Sequence, residues 1–325
     1  MTTSKKSFGF LLLTLLVATG LSVPSTVDAF TIETLNVELL NDFVLEPAKN
    51  EVIINPGEEA SRTLSLTNRT ERTITFKIDI EDLVGSDDPE DQIKLLGDEE
   101  GPYSLKDFLI PEAREFTLEP GEKMTQQINV SLPSDSTPGG YYGAIILSSA
   151  GEEKEAVEAD VSGKTKIITR IASLFLVRVS GETEESSSVS TFKAIGPGAG
   201  VYSSHPEGFE VAIKNEGSVH LVHYGEVVIT NMFGKTITSL PMDAFFSLPK
   251  STRLNEALWE DSFTIGYYKA SLEIYKGYGD DDNLDSASIS FWVLPWQVVL
   301  PALAVIILII LLINFLKKNF KIAKK

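Results

Sequence analysis

The stretch GGYYGAIIL starts at Gly139, and the opening of this stretch returns in IGYYKASLEIY, which starts at Ile265. Both copies contain Gly-Tyr-Tyr-x-Ala and continue with apolar residues at alternate positions. Alternation with a period of two is typical of a β-strand that has one face in a core and one in water. The repetition predicts that one kind of strand, and the domain around it, occurs twice.

The position of the tyrosines indicates the kind of domain. In immunoglobulin-like sandwiches, a tyrosine near the start of a late strand often bonds the backbone at a corner through its hydroxyl group, and a preceding glycine lets the chain turn tightly. We therefore predict two such sandwiches. The expected core residues are Tyr142 or Tyr141 with Ala144, Ile146 or their neighbours in the first copy, and Tyr268, Ala270, Leu272 and Ile274 in the second. Tyr142 and Tyr268 are the expected corner residues, while Tyr141 and Tyr267 are expected to face outward.

Other segments show the same alternation, for example TLSLT from Thr63 and TITFKIDI from Thr73. Pro-Gly-Glu turns at Pro56 and Pro120 each precede a strand whose apolar residues fall at matching offsets. The segment SLKDFLI from Ser104 is expected to form one or two helical turns. The fold class is therefore predicted to be all-β, with two tandem immunoglobulin-like β-sandwich domains followed by one C-terminal transmembrane helix.

The two ends of the chain carry targeting signals. Residues 1–29 combine Lys5 and Lys6, a short apolar run and the small-residue sequence Val27-Asp28-Ala29, which is the pattern of a secretory signal peptide. Residues 294–316 are uncharged and long enough to cross a bilayer, and residues 317–325 contain five lysines. We expect a single-pass protein of the cell membrane, with its N-terminal ectodomain outside and its C-terminus in the cytoplasm.

The ectodomain divides into two parts at a polar stretch, GETEESSSVS, which starts at Gly181 and reads as a linker. The predicted first sandwich covers residues 30–181, and the predicted second sandwich covers residues 182–293. A charged insertion from Ala150 reads as an exposed hairpin or a long loop of the first sandwich. Because few residues separate Val293 from Trp296, the second sandwich is expected to stand almost directly on the membrane.

Charge and cysteine content limit the classes of partner. The chain has a formal net charge of −18, and because residues 1–29 contribute +1 and residues 317–325 contribute +5, the stretch between them carries −24. Such an acidic surface repels nucleic acid and favours cations and basic partners. The absence of cysteine from an exported chain indicates a bacterial or archaeal cell surface.

An acidic turn, GYGDDDNLDS, is a weak candidate for calcium, which prefers several carboxylate and carbonyl oxygens on a flexible loop. The alternative is a solvated hairpin turn, because Asp and Asn are common turn residues. The candidate calcium ligands are Asp280, Asp281, Asp282, Asn283 and Asp285.

Catalysis has little support in the sequence. The acidic residues between Asp87 and Glu100 lie among Gly and Pro in what reads as a mobile loop, so a pair of glycosidase carboxylates is not indicated. His220 and His223 are three residues apart, a spacing that points to opposite faces of a strand and favours surface or edge histidines over zinc. We therefore predict no enzyme activity, no catalytic residues and no cofactor.

With these features together, the chain resembles the WxL-interacting proteins of bacterial surfaces. The resemblance rests on NPGEEASRTLSLTNRTERTITFKIDIED, on FTLEPGEKMTQQINVSLPSDSTPGGYYGAII and on FWVLPW before the helix. It implies a first domain that binds peptidoglycan and a second domain that binds host or matrix proteins.

Two functions follow as hypotheses. The first is a non-catalytic cell-surface binding or scaffold protein, anchored in the cytoplasmic membrane, that binds a cell-wall polymer such as peptidoglycan or a surface protein. The second is an accessory subunit of a membrane protein complex. Neither hypothesis includes nucleic acid.

Overall fold

The computed structural model describes residues 30–88, 92–149, 152–155, 164–198, 200–260, 264–276 and 284–319. The predicted signal peptide lies outside the described residues. The strands that precede Ser180 are, in chain order, β1 (Phe30–Thr34), β2 (Phe43–Glu46), β3 (Lys49–Ile54), β4 (Glu59–Asn68), β5 (Ile74–Gly85), β6 (Ile93–Leu95), β7 (Leu109–Pro111), β8 (Glu115–Leu118), β9 (Glu122–Ser131), β10 (Gly139–Ser149), β11 (Glu152–Glu155), β12 (Lys164–Ile167) and β13 (Arg170–Val179).

The chain continues with a second set of strands and a helix. These are β14 (Ser187–Ile195), β15 (Val201–Tyr202), β16 (Gly208–Asn215), β17 (Leu221–Asn231), β18 (Thr236–Ser247), β19 (Ser251–Leu258), β20 (Gly266–Lys276), β21 (Leu284–Val293) and the helix α1 (Trp296–Asn319). A single 3-10 turn, Lys106–Phe108, lies where the sequence predicts one or two helical turns.

The first set of strands forms a β-sandwich. One sheet has the order β1-β9-β4-β2, with β7 also beside β9, and the facing sheet has the order β3-β13-β10-β5-β6, with β8 also beside β5. The core between them contains Leu64, Phe76, Met124, Ile145 and Phe175, all fully buried. The predicted hairpin of the charged insertion is confirmed for its described residues, because β11 and β12 pair antiparallel.

The second set forms a sandwich of the same topology. Its sheets have the orders β14-β16-β19 and β15-β21-β20-β17-β18. The short edge strand β15 runs parallel to β21, as β3 runs parallel to β13 in the first sandwich. The strand β20 therefore occupies the position of β10. The prediction of two β-sandwiches followed by one apolar helix is confirmed.

The two Gly-Tyr-Tyr copies, however, do not have equivalent orientations. Tyr141 donates a hydrogen bond to the carbonyl of Thr137 at 3.1 Å, and Tyr268 donates one to the carbonyl of Ile265 at 3.1 Å. Tyr141, and not Tyr142, is therefore the corner tyrosine of the first sandwich. Glycines with positive φ precede both corner tyrosines by two positions, Gly139 at 151° and Gly266 at 120°.

The equivalent segments are thus Gly-x-Tyr, with Gly139 and Tyr141 corresponding to Gly266 and Tyr268. An alignment of the two Gly-Tyr-Tyr sequences letter by letter is therefore wrong by one residue. Successive side chains of a strand point to opposite faces, so this offset exchanges the two faces of β10. Ile145 and Leu147, the neighbours of Ala144 and Ile146, pack in the core of the first sandwich, whereas Ala144 and Ile146 pack on its outer face. In the second sandwich the expected core residues Tyr268, Ala270, Leu272 and Ile274 are confirmed.

A buried asparagine lies at the end of an equivalent strand in each sandwich, β4 in the first and β16 in the second. The side-chain amide of Asn68, at the end of β4, donates to the carbonyls of Arg72, Leu118 and Glu119 at 2.8, 3.1 and 3.2 Å. Asn215, at the end of β16, donates to the carbonyls of Val219 and Ser247 at 2.9 and 3.0 Å. Each amide joins a turn to a strand of the facing sheet, which satisfies backbone carbonyls that would otherwise be buried without donors.

The two Pro-Gly-Glu turns also have matching geometry. Gly57 and Gly121 have φ values of 78° and 77°. The carboxylate of Glu58 accepts a hydrogen bond from the backbone N–H of Asn55, and that of Glu122 accepts one from the N–H of Glu119, at 3.1 and 2.7 Å. As the sequence echo indicates, each turn leads into a strand, β4 or β9, and the structure pairs these two strands with each other.

Two residues separate the end of β21 from the start of the helix α1. Residues Trp296–Lys318 are long and apolar enough to cross a membrane, and the helix buries none of this surface inside the protein. Lys317 and Lys318 lie in its last turn. These properties are compatible with single-pass membrane anchoring.

We predict that Asn68→Ala lowers the free energy of unfolding by about 1–3 kcal/mol, because it leaves buried carbonyls without donors. The full-length protein in detergent micelles would be unfolded with denaturant and followed by circular dichroism. Asn129→Ala is the control, since Asn129 is exposed on β9 and its change is expected to stay within about 0.5 kcal/mol. Equal effects of the two substitutions would contradict the role assigned to Asn68.

Candidate functional site at the junction of the sandwiches

The outer face of β10 is buried, in part against the second sandwich. Tyr142, Ala144 and Ile146 form a cluster with Leu83 and with Leu248, which follows β18, and all five are at most 2% exposed. A strand whose faces are both buried is apolar along its whole length, which explains the continuous apolar run of GAIIL. The two sandwiches therefore share a hydrophobic contact.

The hydroxyl group of Tyr142 makes the central polar contact of this junction. It accepts a hydrogen bond from the backbone N–H of His220 at 2.6 Å and lies 3.2 Å from Nδ1 of the same residue. A Cβ atom on Gly140 would lie 1.9 Å from this hydroxyl oxygen, so only glycine fits there. The Gly140 backbone N–H also donates to the carbonyl of Ser218 at 3.3 Å.

The segment that was expected to be a linker is held in place. The carbonyl of Ser186 accepts hydrogen bonds from the backbone N–H groups of Glu216 and Gly217 at 2.8 and 3.0 Å. The backbone N–H of Ser218 donates to the carbonyl of Glu184 at 2.9 Å, and Glu184 donates in return to the Ser218 hydroxyl at 3.2 Å. This segment packs along the turn after β16 and restrains the junction on a second side.

The expectation that His220 and His223 are surface or edge histidines is wrong, because His220 precedes β17 and β17 lies between β18 and β20. Both side chains are almost fully buried, at 2% and 1% exposure. His223 Nε2 lies 2.8 Å from the Ser247 hydroxyl, so each histidine has a polar partner of its own. Among the described residues, no group of three or more His, Cys, Asp or Glu side chains is arranged to hold a metal ion.

Burial lowers the pKa of His220 to about 4, with smaller effects from Glu51 and Arg178, which lie beside it. Burial also lowers the pKa of His223 to about 4, and the charge of Lys276 acts in the same direction. Both rings are therefore neutral at neutral pH, and protonation would place an unfavourable charge in a buried environment.

An open cleft of about 390 Å³ lies beside His220. It is lined by Glu51, Val52, Ile53, Arg62, Arg178 and His220. Arg178 forms an ion pair with Glu185 and donates to the Thr183 hydroxyl at 3.0 Å. Arg62 donates to the carbonyl of Glu51 at 3.3 Å. The cleft thus combines two guanidinium groups with an apolar surface, in an ectodomain whose overall charge is strongly negative.

One wall of this cleft is the edge strand β3. The carbonyls of Ala48 and Ile54 accept hydrogen bonds from the backbone N–H groups of Leu174 and Ser180, at 2.9 and 2.8 Å. In a parallel pair, alternate residues of a strand direct their N–H and C=O groups toward the partner, so those of Lys49, Glu51 and Ile53 point away from β13. Of these outward groups, the Glu51 carbonyl accepts the hydrogen bond from Arg62. Among the described residues no strand pairs with this outer edge of β3, and Ile53 on it is 64% exposed.

The structure describes only one of the five candidate calcium ligands. Asp280, Asp281, Asp282 and Asn283 lie outside the described residues, so the calcium hypothesis stays a prediction. Asp285 belongs to β21 and accepts a hydrogen bond from the Lys276 ammonium at 3.5 Å. Of the acidic loop, Glu90 and Asp91 also lie outside the described residues.

Sequence reasoning missed Asp82, which has a structural role behind the junction. Its buried carboxylate accepts hydrogen bonds from the backbone N–H groups of Gly101, Leu105 and Lys106 at 3.0, 2.9 and 2.9 Å. Burial by itself would raise the pKa of Asp82, but these bonds and one from Ser104 hold the pKa below its usual value. No local pattern in the sequence marks this role, because the donors lie about 20 residues away.

Comparisons with known proteins give distant structural matches to the chain. No protein-family model matches it, and no curated protein matches it. The class 5 fimbriae chaperone CfaA is 13% identical, with a TM-score of 0.37, over 78% of this chain and 100% of that chain. The Salmonella enterica complex of the SafA pilin with the SafB chaperone is 13% identical, with a TM-score of 0.32, over 79% of this chain and 100% of that chain. The Pseudomonas aeruginosa CupB2 chaperone is 12% identical, with a TM-score of 0.31, over 75% of this chain and 97% of that chain.

Values this low indicate a distant likeness and carry no inference about the function of this chain. The resemblance to WxL-interacting proteins, which rests on turn and core motifs, has no support in these comparisons and stays a prediction.

We predict that Tyr142→Phe loosens the junction, because it leaves the buried N–H of His220 without its acceptor, at a cost of about 1–3 kcal/mol. Hydrogen exchange measured by mass spectrometry should show faster exchange of the peptide that contains His220. Tyr141→Phe is the control, since it removes a hydroxyl that bonds only within the first sandwich. Unchanged exchange at His220 in the Tyr142 variant would contradict the assignment.

We predict that the protein loses stability as the pH falls from about 6.5 to about 4. The unfolded histidines bind protons in this range and the folded ones do not, so each ring costs roughly 3 kcal/mol once the pH is below both pKa values. Thermal unfolding measured across this range checks the effect. The double variant His220→Gln/His223→Gln should flatten the dependence, and an unchanged slope in this variant would contradict the prediction.

Proposed function

We propose that this chain is a non-catalytic binding protein of the cell envelope, held in the cytoplasmic membrane by α1, and that the junction cleft binds an extended peptide segment with a carboxylate group. The observation that carries the proposal is the position of the open edge of β3 directly beside Arg62 and Arg178. An extended segment can add to an exposed sheet edge through backbone hydrogen bonds, and pockets for its side chains provide specificity.

The charges of the cleft support a carboxylate as part of the ligand. Arginine binds carboxylates through its planar, forked set of donors. Arg178 already holds such a group from Glu185, which lies in the neighbouring segment of the same chain. A partner carboxylate would take the place of Glu185 on the guanidinium group. Ile53 would give the segment an apolar contact next to this charged one.

The membrane anchor supports an envelope location. The helix α1 has the length and composition of a membrane span, and lysines follow its apolar part. Lysine-rich ends are retained on the cytoplasmic side, so residues 30–293 would lie outside. A location outside the membrane, with the cleft exposed, would give access to other proteins of the envelope and to the cell wall.

The test is site-specific photo-crosslinking in cells of the native organism. A photoreactive amino acid would replace Ile53, and the control would carry it in place of Ile110, which is 50% exposed on β7 at the opposite edge of the sandwich. We expect protein adducts from position 53 that are absent from position 110. Adducts with wall peptides would instead support the peptidoglycan hypothesis, and equal labelling at both positions would overturn the cleft as the binding site.

A matched pair of substitutions tests the role of the charge. Arg178→Ala should weaken the binding of the captured partner about tenfold or more, since a hydrogen bond to a charged group contributes about 1.5–3 kcal/mol. Glu185→Gln breaks the same internal ion pair but keeps the guanidinium group, so it should leave binding intact or strengthen it. Titrations of the purified full-length variants give the two affinities. Equal losses in both variants would show that the arginine acts only through its internal ion pair.

A further inference from the structure

One end of the second sandwich exposes large apolar side chains that the proposed function does not use. Met232 and Phe233, in the turn between β17 and β18, are 63% and 83% exposed. Ile265, just before β20, is 45% exposed, and Leu258, at the end of β19, is 66% exposed. A soluble domain seldom exposes such residues together without a partner.

The register of the sheet places this turn at the same end as the start of the helix. Asn231 lies opposite Tyr268, and Tyr268 lies opposite Phe291. Along the strand direction, the turn residues that follow Asn231 therefore extend to the level of Trp292 and beyond. Across the sheet, β17 is two strands away from β21, which is about 10 Å because neighbouring strands lie about 4.8 Å apart. Trp296, where α1 begins, follows at the same end.

The connection between β21 and α1 is short. Only Leu294 and Pro295 separate them, and the backbone N–H of Leu294 donates to the carbonyl of Tyr202 at 2.8 Å. The carbonyl of Pro295 accepts hydrogen bonds from the N–H groups of Val298 and Val299. Since a chain spans at most about 3.6 Å per residue, the end of the sandwich cannot stand away from the surface that the helix enters.

The turn holds its apolar side chains in a fixed position. The side-chain oxygen of Asn231 accepts hydrogen bonds from the backbone N–H groups of Phe233 and Lys235 at 3.0 and 3.1 Å. The N–H of Gly234 donates to the carbonyl of Asn231 at 2.9 Å, and Gly234 has a φ of 76°, which favours glycine. Phe233 is thus exposed on a well-defined turn.

We propose that this end of the second sandwich docks on the outer leaflet of the bilayer, with Met232 and Phe233 inserted at the level of the lipid headgroups. The inference rests on the membrane anchoring proposed above. Aromatic and apolar side chains are stable at this level, and Trp292 and Trp296 lie at the same end. Lys235 and Lys269, both exposed near the turn, face anionic headgroups on this side.

The test uses fluorescence quenching in the full-length protein, which contains no cysteine. A single cysteine would replace Met232 and carry an environment-sensitive fluorophore, and the protein would be reconstituted in vesicles of phosphatidylethanolamine and phosphatidylglycerol. We expect quenching by lipids with a nitroxide near the headgroup. The same fluorophore at Ile110, in the first sandwich, should not be quenched, and Phe233→Asp in the Met232 variant should remove most of the quenching there.

A fluorophore at Leu308, near the middle of α1, separates the two proposals, because it should be quenched by a nitroxide near the end of the acyl chain. Quenching at Leu308 without quenching at Met232 would overturn the docking proposal and leave the anchor intact. No quenching at Leu308 would overturn the anchor and the docking together. Phe233 makes no side-chain contribution to the hydrogen bonds of its turn, so the Asp variant is expected to fold.

Discussion

Tyr142 lies on the outer face of β10 because the turn before this strand places Tyr141, one residue earlier, at the corner. Adjacent side chains of a strand face opposite ways, so the choice of corner residue decides the direction of every side chain that follows. In the first sandwich this choice directs a buried tyrosine at the second sandwich, where its hydroxyl meets the backbone of His220. The junction, the buried histidine and the cleft beside it all depend on this orientation.

The repeat itself could be predicted, but its register could not. Gly-Tyr-Tyr-x-Ala occurs twice and does mark equivalent strands in two sandwiches of the same topology. In the first copy a second glycine, Gly139, has positive φ, and this moves the corner by one residue. The difference between the strands was visible in composition. The segment after Tyr142 is apolar throughout, whereas KASLEIYK after Tyr268 alternates, and a continuous apolar run indicates that both faces are buried.

The polar residues of the interior were the least predictable. Asn68 ends a strand, His220 lies in a turn and Asp82 lies within β5, and each has partners that the fold brings from elsewhere in the chain. A sequence pattern shows which residues favour a turn, but not which carbonyl or N–H group a distant strand places beside it. For this reason the histidines were expected at the surface, and the cleft was not anticipated.

The second sandwich has its two attachments at opposite ends of the same strands. At one end the start of β17 and the end of β18 meet the first sandwich, and at the other end β21 passes directly into α1. The 11 residues of β20 span about 36 Å at about 3.3 Å per residue. With the helix in a membrane, the second sandwich would hold the cleft at about this height, and the hydrogen bonds around Ser218 would limit how far the first sandwich swings. A ligand would then have to reach that height, which favours an extended segment projecting from the membrane or the wall over a group at the lipid surface.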